Sequence, residues 1–379
     1  GLGDVYKRQL LISTHSGAMD DPTPSHPQHP WIRGTDLTPA ELRAALDSGR
    51  IVRVRRNLYL PRPDGIEARA FVSEAHRALL DQLRSESING VVCLESAAVL
   101  HGATPLTPHR TVHLVVGWNA GGMKLGEADQ PPFDAPGRVD RRRRLAQRAV
   151  ARHRYPVPQA DIVEIRGMRV TSLERTMEDC ARFLEPDRGL AVVDSLIAVA
   201  VGASASARPW DRREQIDGLA AATRELVLER LDGRRRERGL RRARAILAAA
   251  TPWSQSPWES EARRQCLVGG IGAMAPQLPV DAMGVRFYAD LGWLTARHIL
   301  EVDDTMKYRM NSETILQQQG GREDAIRDVG FSISRVAPDE LRAPGVLAEH
   351  LREALPQSVC ETRPVTVLRT RREKRASRP

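Results

Sequence analysis

Apolar and polar positions first become regular after a polar, proline-rich opening, where helical spacing gives way to strand-like alternation. Thr38, Pro39 and Glu41 have the spacing of an N-cap, a first helical residue and a capping box. Gly49 ends this helix, and residues 50–61 (RIVRVRRNLYLP) then alternate as a strand that turns back at RNLY. The pattern predicts a short helix followed by an arginine-rich hairpin.

The middle of the chain predicts strands and helices without a catalytic motif. Residues 91–102 (VVCLESAAVLHG) indicate a buried strand that runs into a helix. Thr171 and Glu174 have the spacing of a capping box at the start of another helix. His101 has no catalytic partner in the local sequence, so we interpret it as a packed or capping residue.

The last third of the chain predicts a helix, three strands, a helix, a strand and a final helix. Ser256 and Glu259 form a capping-box pattern at the start of the first helix, and Gly284 lies near a hairpin turn. Residues 311–328 and 338–355 have the apolar spacing of helices. This order is typical of a mixed sheet flanked by helices.

Two acidic residues on neighbouring predicted strands raise a question of chemistry. In residues 288–304 (YADLGWLTARHILEVDD), a turn centred between Thr295 and Ala296 places Asp290 opposite Glu301, with Cβ atoms about 5 Å apart. Like charges so placed are destabilising, and a cation between them would explain the pair. A one-residue shift in register would instead make them solvated edge charges on opposite faces. The spacing alone leaves both interpretations open.

Composition favours a polyanionic partner. The 379 residues are enough for two or three domains, and 41% of them are hydrophobic. The formal net charge is +9 and the isoelectric point about 9.9, which suits nucleic acid, although an arginine-rich background composition is the alternative.

Cysteine usage and hydropathy restrict the class of protein further. The cysteines are scattered singly at positions 93, 180, 266 and 360 and give neither zinc-ligand spacing nor a disulfide framework. A reducing cytoplasm is therefore the expected location. No apolar run reaches about 18 residues, so no membrane span is predicted.

Two groups of arginines are candidates for contacts with nucleic-acid phosphates. One lies on the predicted N-terminal helix and hairpin, and the other lies on a helix within residues 231–250 that has an apolar stripe. The candidates are Arg43, Arg53, Arg55, Arg56, Arg241 and Arg242. The alternative is that the first group is the solvated face of a small adaptor domain and the second that of a connecting helix.

Residues 31–200 resemble the AbiEi-type antitoxins and regulators of bacterial type IV toxin–antitoxin systems. The resemblance rests on LTPAELRAALDSGRIVRVRRNLYLP, LESAAVLHGATPL and GMRVTSLERTMEDCARF, in this order. It implies an N-terminal winged helix that binds DNA, followed by an α/β domain, with Arg53, Arg55 and Arg56 on the wing. Asn57 stands where the family usually has glycine, and asparagine also tolerates positive φ.

Residues 256–355 resemble the PD-(D/E)XK nuclease superfamily, and most closely the very-short-patch-repair endonucleases. The matching motifs are SPWESEARR, YADLGW, LEVDDTMKY, REDAIRDVGFSISRV and PDEL. The resemblance implies that Asp290 and Glu301 bind Mg²⁺, which activates water against a phosphodiester, and that Glu259 supports the site as a helical acid.

The chain departs from that superfamily at several positions. Asp303 stands at the catalytic position usually held by lysine, and Asp304 stands where glycine is usual. Lys307 is the nearest lysine in the sequence, and Gly320 and Gly321 interrupt a helix that is normally continuous. These departures leave turnover open.

Together these patterns predict a multidomain α/β (α+β) protein. The expected segments are a disordered or non-native leader (1–30), a winged-helix-like segment (31–65), an α/β domain (66–232), a basic connecting helix (233–251), an endonuclease-like domain (252–358) and a basic disordered tail (359–379). A fragment cut near residue 252 is expected to fold alone.

Two functions from different classes follow. The first is a DNA-binding protein with a Mg²⁺-dependent endonuclease-like domain. The second is a non-catalytic DNA-binding antitoxin or transcriptional regulator that keeps a degenerate nuclease fold. DNA is the expected partner in both, and a cognate toxin or a second copy of the chain is the further partner considered.

Overall fold

The computed structural model describes residues 31–55, 57–62, 68–86, 89–108, 111–117, 150–204, 208–234, 237–303 and 313–376. The expected leader, Arg56, Asp304 and Lys307 lie outside the described residues. The chain is a mixed α/β protein, as the sequence predicted, and it divides into two compact units.

The first unit ends at Thr176, apart from residues 102–106, which belong to the second unit. Its elements in chain order are α1 (Pro39–Asp47), β1 (Ile51–Arg55), β2 (Leu58–Pro61), α2 (Ala68–Ser85), β3 (Val91–Val92), α3 (Leu94–Leu100), β4 (Val112–Val115), β5 (Val150–His153), β6 (Ile162–Ile165) and β7 (Met168–Thr171). Helix α4 (Leu173–Phe183) contains the division between the units.

Strands β1 and β2 form an antiparallel hairpin, and the other strands of this unit form a mixed sheet in the order β5-β4-β3-β7-β6. The hairpin turns at Asn57, which has a φ of 63°. Leu58 and Leu60 pack with Phe71 and Leu79 of α2 in one apolar cluster. The predicted helix followed by an arginine-rich hairpin is therefore confirmed.

The predicted cap of α1 is also confirmed. The Glu41 N–H donates to Thr38 Oγ1 at 3.3 Å, and the Thr38 N–H donates to Glu41 Oε2 at 2.8 Å. Each partner satisfies a backbone donor that the first helical turn leaves without an acceptor.

The N-cap predicted at Thr171, at the start of α4, is displaced by one residue. Thr171 ends strand β7, and Ser172 Oγ instead accepts the Arg175 N–H at 3.2 Å. His101 follows the last residue of α3 as its C-cap, with Nε2 2.8 Å from the Thr171 carbonyl oxygen, in agreement with a packed or capping residue.

The second unit holds the remaining elements. They are α5 (Pro186–Ala200), α6 (Arg213–Leu231), α7 (Leu240–Ala249), α8 (Pro257–Gly269), β8 (Ala275–Ala282), β9 (Val285–Trp293), β10 (His298–Val302), α9 (Glu313–Asp328), β11 (Ser332–Val336), α10 (Pro338–Leu341), α11 (Val346–Ala354), α12 (Gln357–Cys360) and α13 (Arg371–Ala376). The strands form a sheet in the order β11-β10-β9-β8, in which only the β10–β11 pair is parallel.

The predicted order of helices and strands is confirmed, with one difference. The final helix is divided into α10 and α11, because Gly345 adopts a φ of 87° between them. None of the described helices is long and apolar enough to cross a membrane.

The sheet of the second unit is irregular at one point in β9. Regular β8–β9 pairs flank Gln277 and Asp290, and Gln277 has a φ of 50°. Residues two apart in a strand normally share a face. Here Ala289 packs with Ile299 in one apolar cluster, whereas Leu291 packs in another. The strand therefore changes its packing face at Asp290.

Helices α5 and α8 are joined by a buried carboxylate. Asp194 is 1% exposed and accepts the Thr251 N–H at 2.8 Å, the Ser260 hydroxyl at 2.7 Å and Arg263 Nη2 at 2.5 Å. A fragment that begins at residue 252 would leave Arg263 without this carboxylate. The observed division at Thr176 also differs from the domain boundaries expected near residues 65, 232 and 251.

The expected disordered tail is wrong for residues 359–376, which contain the end of α12 and helix α13. Glu373 of α13 receives two hydrogen bonds, of 2.8 and 2.9 Å, from Arg264, which is only 1% exposed. Arg264 also donates to the Leu368 carbonyl at 2.8 Å. Within this basic segment, the acidic residue Glu373 holds α13 in place because it pairs with Arg264, which is buried and lies 109 positions earlier in the sequence.

Replacement of the buried carboxylate should destabilise the second unit. Asp194→Ala leaves Arg263 with an uncompensated buried charge, which costs about 3–5 kcal/mol. Asp339→Ala removes an exposed ion pair with Arg342 and should cost less than about 1 kcal/mol. Urea unfolding of the parent and both variants measures these free energies. Equal losses of unfolding free energy in the two variants would contradict the conclusion that the Asp194 contacts stabilise the second unit.

Candidate active site

The register of β9 and β10 decides the question raised by the two acidic residues. His298 pairs with Trp293 and Leu300 pairs with Leu291, so Glu301 is the next residue opposite Asp290. The Val302 N–H donates to Asp290 Oδ2 at 2.9 Å, which ties the aspartate to the end of β10. The shifted register is excluded, because it would require different partners for Leu300.

Glu259 lies at the N-terminus of α8 and serves two roles. Its N–H donates to Ser256 Oγ at 3.2 Å, which confirms the predicted N-cap. Its carboxylate accepts the Gln255 N–H at 2.9 Å and Gln277 Nε2 at 3.5 Å. The side chain is buried, and the negative charges of Asp290 and Glu301 act on it.

Burial and the charge of Asp290 raise the pKa values of Glu259 and Glu301 and make them weak acids. Burial raises the pKa of Glu259 to about 8, and the charge of Asp290 adds to the effect. Burial also raises the pKa of Glu301 to about 7, with a further increase from Asp290 and an opposing effect from Arg322 and Arg335. The folded site therefore holds protons near neutral pH that isolated carboxylates would release.

Two arginines that sequence reasoning missed lie beside Glu301. Arg322 of α9 donates to Glu301 Oε1 at 3.1 Å and to the Tyr288 carbonyl at 3.0 Å. Arg335 of β11 pairs with Glu301 in the parallel ladder. The strand FSISRV contained a signal for Arg335, since alignment with HILEV places it opposite Glu301. No local pattern indicated Arg322.

Asp303, at the position expected for lysine, is held in an ion pair. Its Oδ2 lies 3.6 Å from Arg335 Nη1, and Arg335 also pairs with Glu323 of α9. The four predicted acids therefore lie in one region of the second unit. Asp290, Glu301 and Glu259 interact directly by charge, and Asp303 adjoins them through Glu301.

The donor set fits Mg²⁺ through two residues. Among the described residues, no group of three or more His, Cys, Asp or Glu side chains is arranged to hold a metal. Mg²⁺ is usually bound by one or two carboxylates together with water and phosphate oxygens. Asp290 and Glu301 supply that number of hard oxygen ligands, so the residues present fit the ion.

The arginines of the first unit that were predicted to contact nucleic acid differ in whether another side chain already binds them. Arg43 and Arg53 are exposed, and their side chains have no hydrogen-bond or ion-pair partner among the described residues. Arg55 pairs with Glu86 at 3.1 Å, and Arg56 lies outside the described residues.

The arginines of α7 have divided roles. Leu240, Ala243, Ile246 and Leu247 are buried, which confirms the predicted apolar stripe. Arg242 donates to the Leu184 carbonyl and lies 4.0 Å from Glu185, whereas Arg241 is exposed. Arg234 pairs with the buried Glu178. Part of this basic segment therefore holds helices together, and Arg241 faces a shallow cavity of about 790 Å³.

Comparisons with known proteins leave the family undetermined. No protein-family model matches the chain, and no curated protein matches it.

The raised pKa values predict a stability that falls with increasing pH. Both folded-state pKa values lie above the ordinary value of 4.5, so the folded protein binds more protons than the unfolded chain between about pH 4.5 and 8. The free energy of unfolding should therefore decrease across this window. Asp290→Asn removes one cause of both shifts and should flatten the decrease, whereas Asp281→Asn at an exposed ion pair should not.

Urea unfolding at pH 5 and pH 8.5, in the presence of a chelator, measures this difference for the parent and both variants. The same pH dependence in the parent and in Asp290→Asn would contradict the proximity of the three carboxyl groups.

Proposed function

We propose that the second unit carries a Mg²⁺-dependent phosphodiesterase site of the endonuclease type, which acts on DNA. The observation that supports it is the register of β9 and β10, which brings Asp290 and Glu301 to the positions that follow the Leu291–Leu300 pair, with buried Glu259 close enough for both charges to act on it. A sheet tolerates such crowding poorly unless a cation reduces the repulsion. The resemblance of residues 256–355 to very-short-patch-repair endonucleases agrees with this assignment.

The chain's own residues would hold and orient the site. The Val302 N–H fixes one oxygen of Asp290, and Arg322 fixes one oxygen of Glu301. Glu259 anchors the first turn of α8 and supplies a carboxyl group that is protonated near neutral pH. Bound to Asp290 and Glu301, Mg²⁺ would lower the pKa of a coordinated water and shield phosphate charge.

The charge distribution supports a nucleic-acid substrate. The net charge is +9, and Arg43, Arg53 and Arg241 present exposed guanidinium groups. Cationic side chains of this kind bind phosphates without reading sequence. The resemblance of the first unit to DNA-binding regulators of toxin–antitoxin systems supports the same partner.

A non-catalytic DNA-binding regulator is the second candidate, and Asp303 favours it. An acid replaces the expected lysine, and its partner Arg335 also pairs with Glu323. Without a lysine at this position, the fold would serve as a scaffold for DNA binding by an antitoxin-like protein. Binding without Mg²⁺-dependent cleavage would identify this second function.

Mg²⁺ should stabilise the parent protein and support DNA nicking. A ligand at a hundred times its dissociation constant stabilises the folded state by about 2.7 kcal/mol. Asp290→Asn and Glu301→Gln should each abolish that gain and the nicking, because each removes a proposed ligand. Asp281→Asn, an exposed acid on β8, should retain both.

Thermal melts with Mg²⁺ and with chelator, together with a supercoiled-plasmid nicking assay, test these expectations. If Mg²⁺ does not change the melting temperature of the parent protein, the metal site is excluded. Identical responses in the parent and Asp290→Asn would exclude that aspartate as a ligand.

DNA affinity should depend steeply on salt under either function. Log affinity should fall linearly with log salt, by about 0.9 for each phosphate contacted. Arg53→Ala and Arg241→Ala should each reduce the slope by about 0.9, whereas Arg286→Ala, which removes a partner of Asp281, should leave it unchanged. Fluorescence anisotropy with a duplex across a salt series measures the slopes. A flat response in the parent would exclude binding through phosphates.

A further inference from the structure

A cavity of about 300 Å³ lies in the second unit beside the start of α8. Small residues leave the space, and two indole rings and a short polar segment border it. Among the residues that line it are Ala198, Ala203, Trp210, Trp253, Ser254 and Gln255. Gln255 is exposed and Trp253 is buried, so the cavity extends from the surface into the interior. Its volume is at the lower end of the range for small-molecule sites.

The two indole rings are held in fixed positions. Trp210 stacks on Tyr288, with ring centroids 4.3 Å apart. The Trp253 Nε1–H donates to Asp217 Oδ1 at 2.6 Å, and the Arg213 guanidinium lies 4.5 Å from the Trp253 ring centroid. Trp253 is buried and Trp210 is partly exposed. Because neighbours restrain both rings, a flat ligand could stack on Trp210 without first ordering these side chains.

One hydroxyl group in the cavity lacks an internal partner. Ser195 Oγ accepts the Thr104 N–H, and the Ser260 hydroxyl donates to Asp194. The Ser254 oxygen is buried and has no hydrogen-bond partner among the described residues. A buried polar atom of this kind is costly unless it is satisfied. Rotation of the Ser254 side chain about χ1 towards the cavity would give this hydroxyl group a hydrogen-bond partner on a ligand.

The cavity adjoins the carboxylate site through shared residues. Gln255 lines the cavity and donates its N–H to Glu259. Trp210 lines the cavity and stacks on Tyr288. The Tyr288 carbonyl accepts a hydrogen bond from Arg322, which also donates to Glu301. A ligand group in the cavity would therefore lie next to the acids proposed to act on phosphodiesters.

We propose that this cavity binds a single nucleobase, stacked against Trp210, bordered by Trp253 and hydrogen-bonded by Ser254 once that side chain rotates towards the base. Every base has a π-face that stacks on aromatic side chains and polar edges that form hydrogen bonds. The assignment of the base to an unpaired nucleotide of DNA rests on the proposed function. A free nucleotide presents the same chemistry and is the other source that the experiment distinguishes.

Calorimetric titration in chelator tests the proposal with three probes: deoxynucleoside monophosphates, a duplex with one unpaired bulged base, and the same duplex fully paired. The bulged duplex should bind at least about fivefold more tightly than the paired duplex, as expected for one stacked base. Tight binding of the monophosphates with no preference for the bulge would identify a free nucleotide as the source. The proposal would be overturned if the monophosphates did not bind and the bulged duplex bound no more tightly than the paired duplex.

Three variants locate the binding. Trp210→Leu should weaken binding of the bulged base at least about fivefold, and Ser254→Ala should weaken it about fivefold. Ser358→Ala, which removes an exposed hydroxyl on α12, is the matched control and should bind like the parent. Thermal melts confirm that each variant is folded, and Ser254→Ala keeps the test decisive if Trp210→Leu unfolds. Unchanged affinity in Ser254→Ala would place the base elsewhere.

Asp290→Asn separates this proposal from the proposed function. It should retain the preference for the bulged duplex in chelator while it loses Mg²⁺-dependent nicking. Nicking by the parent, with neither a preference for the bulge nor binding of the monophosphates, would support the nuclease and overturn the base site. A preference for the bulge in a parent that never nicks DNA would support the base site and overturn the nuclease.

Discussion

The proximity of Asp290 and Glu301 is the constraint on which the candidate site of the second unit depends. The strands that carry them are paired up to the adjacent Leu291 and Leu300, both of which are fully buried. This pairing fixes the backbone positions of the two residues, so their carboxylates can move apart only by side-chain rotation. The Val302 N–H, Arg322 and raised pKa values reduce the repulsion without removing it. The unit therefore tolerates a local conflict of charge in the middle of a well-packed sheet.

Local patterns predicted local structure well. Several predicted features depend on residues that are only a few positions apart. They are the caps of α1 and α8, the Asn57 turn, the apolar stripe of α7 and the register of β9 and β10. The same reasoning located Asp290 and Glu301 at the positions next to the Leu291–Leu300 pair. Short-range hydrogen bonding and side-chain alternation determine all of these features, and a sequence displays both directly.

Features that depend on distant residues were missed. Asp194 binds groups 57 to 69 positions away, and Arg264 binds Glu373 across 109 positions. In sequence each of these charged residues looks like part of a solvated surface. Arg322, beside Glu301, was missed for the same reason. Mutual neutralisation permits their burial, and no periodic pattern reveals it.

The double role of Glu259 has a consequence for comparing this chain with its descendants or variants. Its N–H donates to the cap residue Ser256, as any residue's would, but its carboxylate anchors residue 255, so selection for a stable fold alone would preserve that carboxylate. A lineage that had lost catalysis would still be expected to retain glutamate at this position. Asp290 has no comparable role in beginning a helix. Its contact with the Val302 N–H could be made equally by asparagine. A retained aspartate there, rather than Glu259, would therefore distinguish lineages that keep a carboxylate for a metal from those that keep only the architecture.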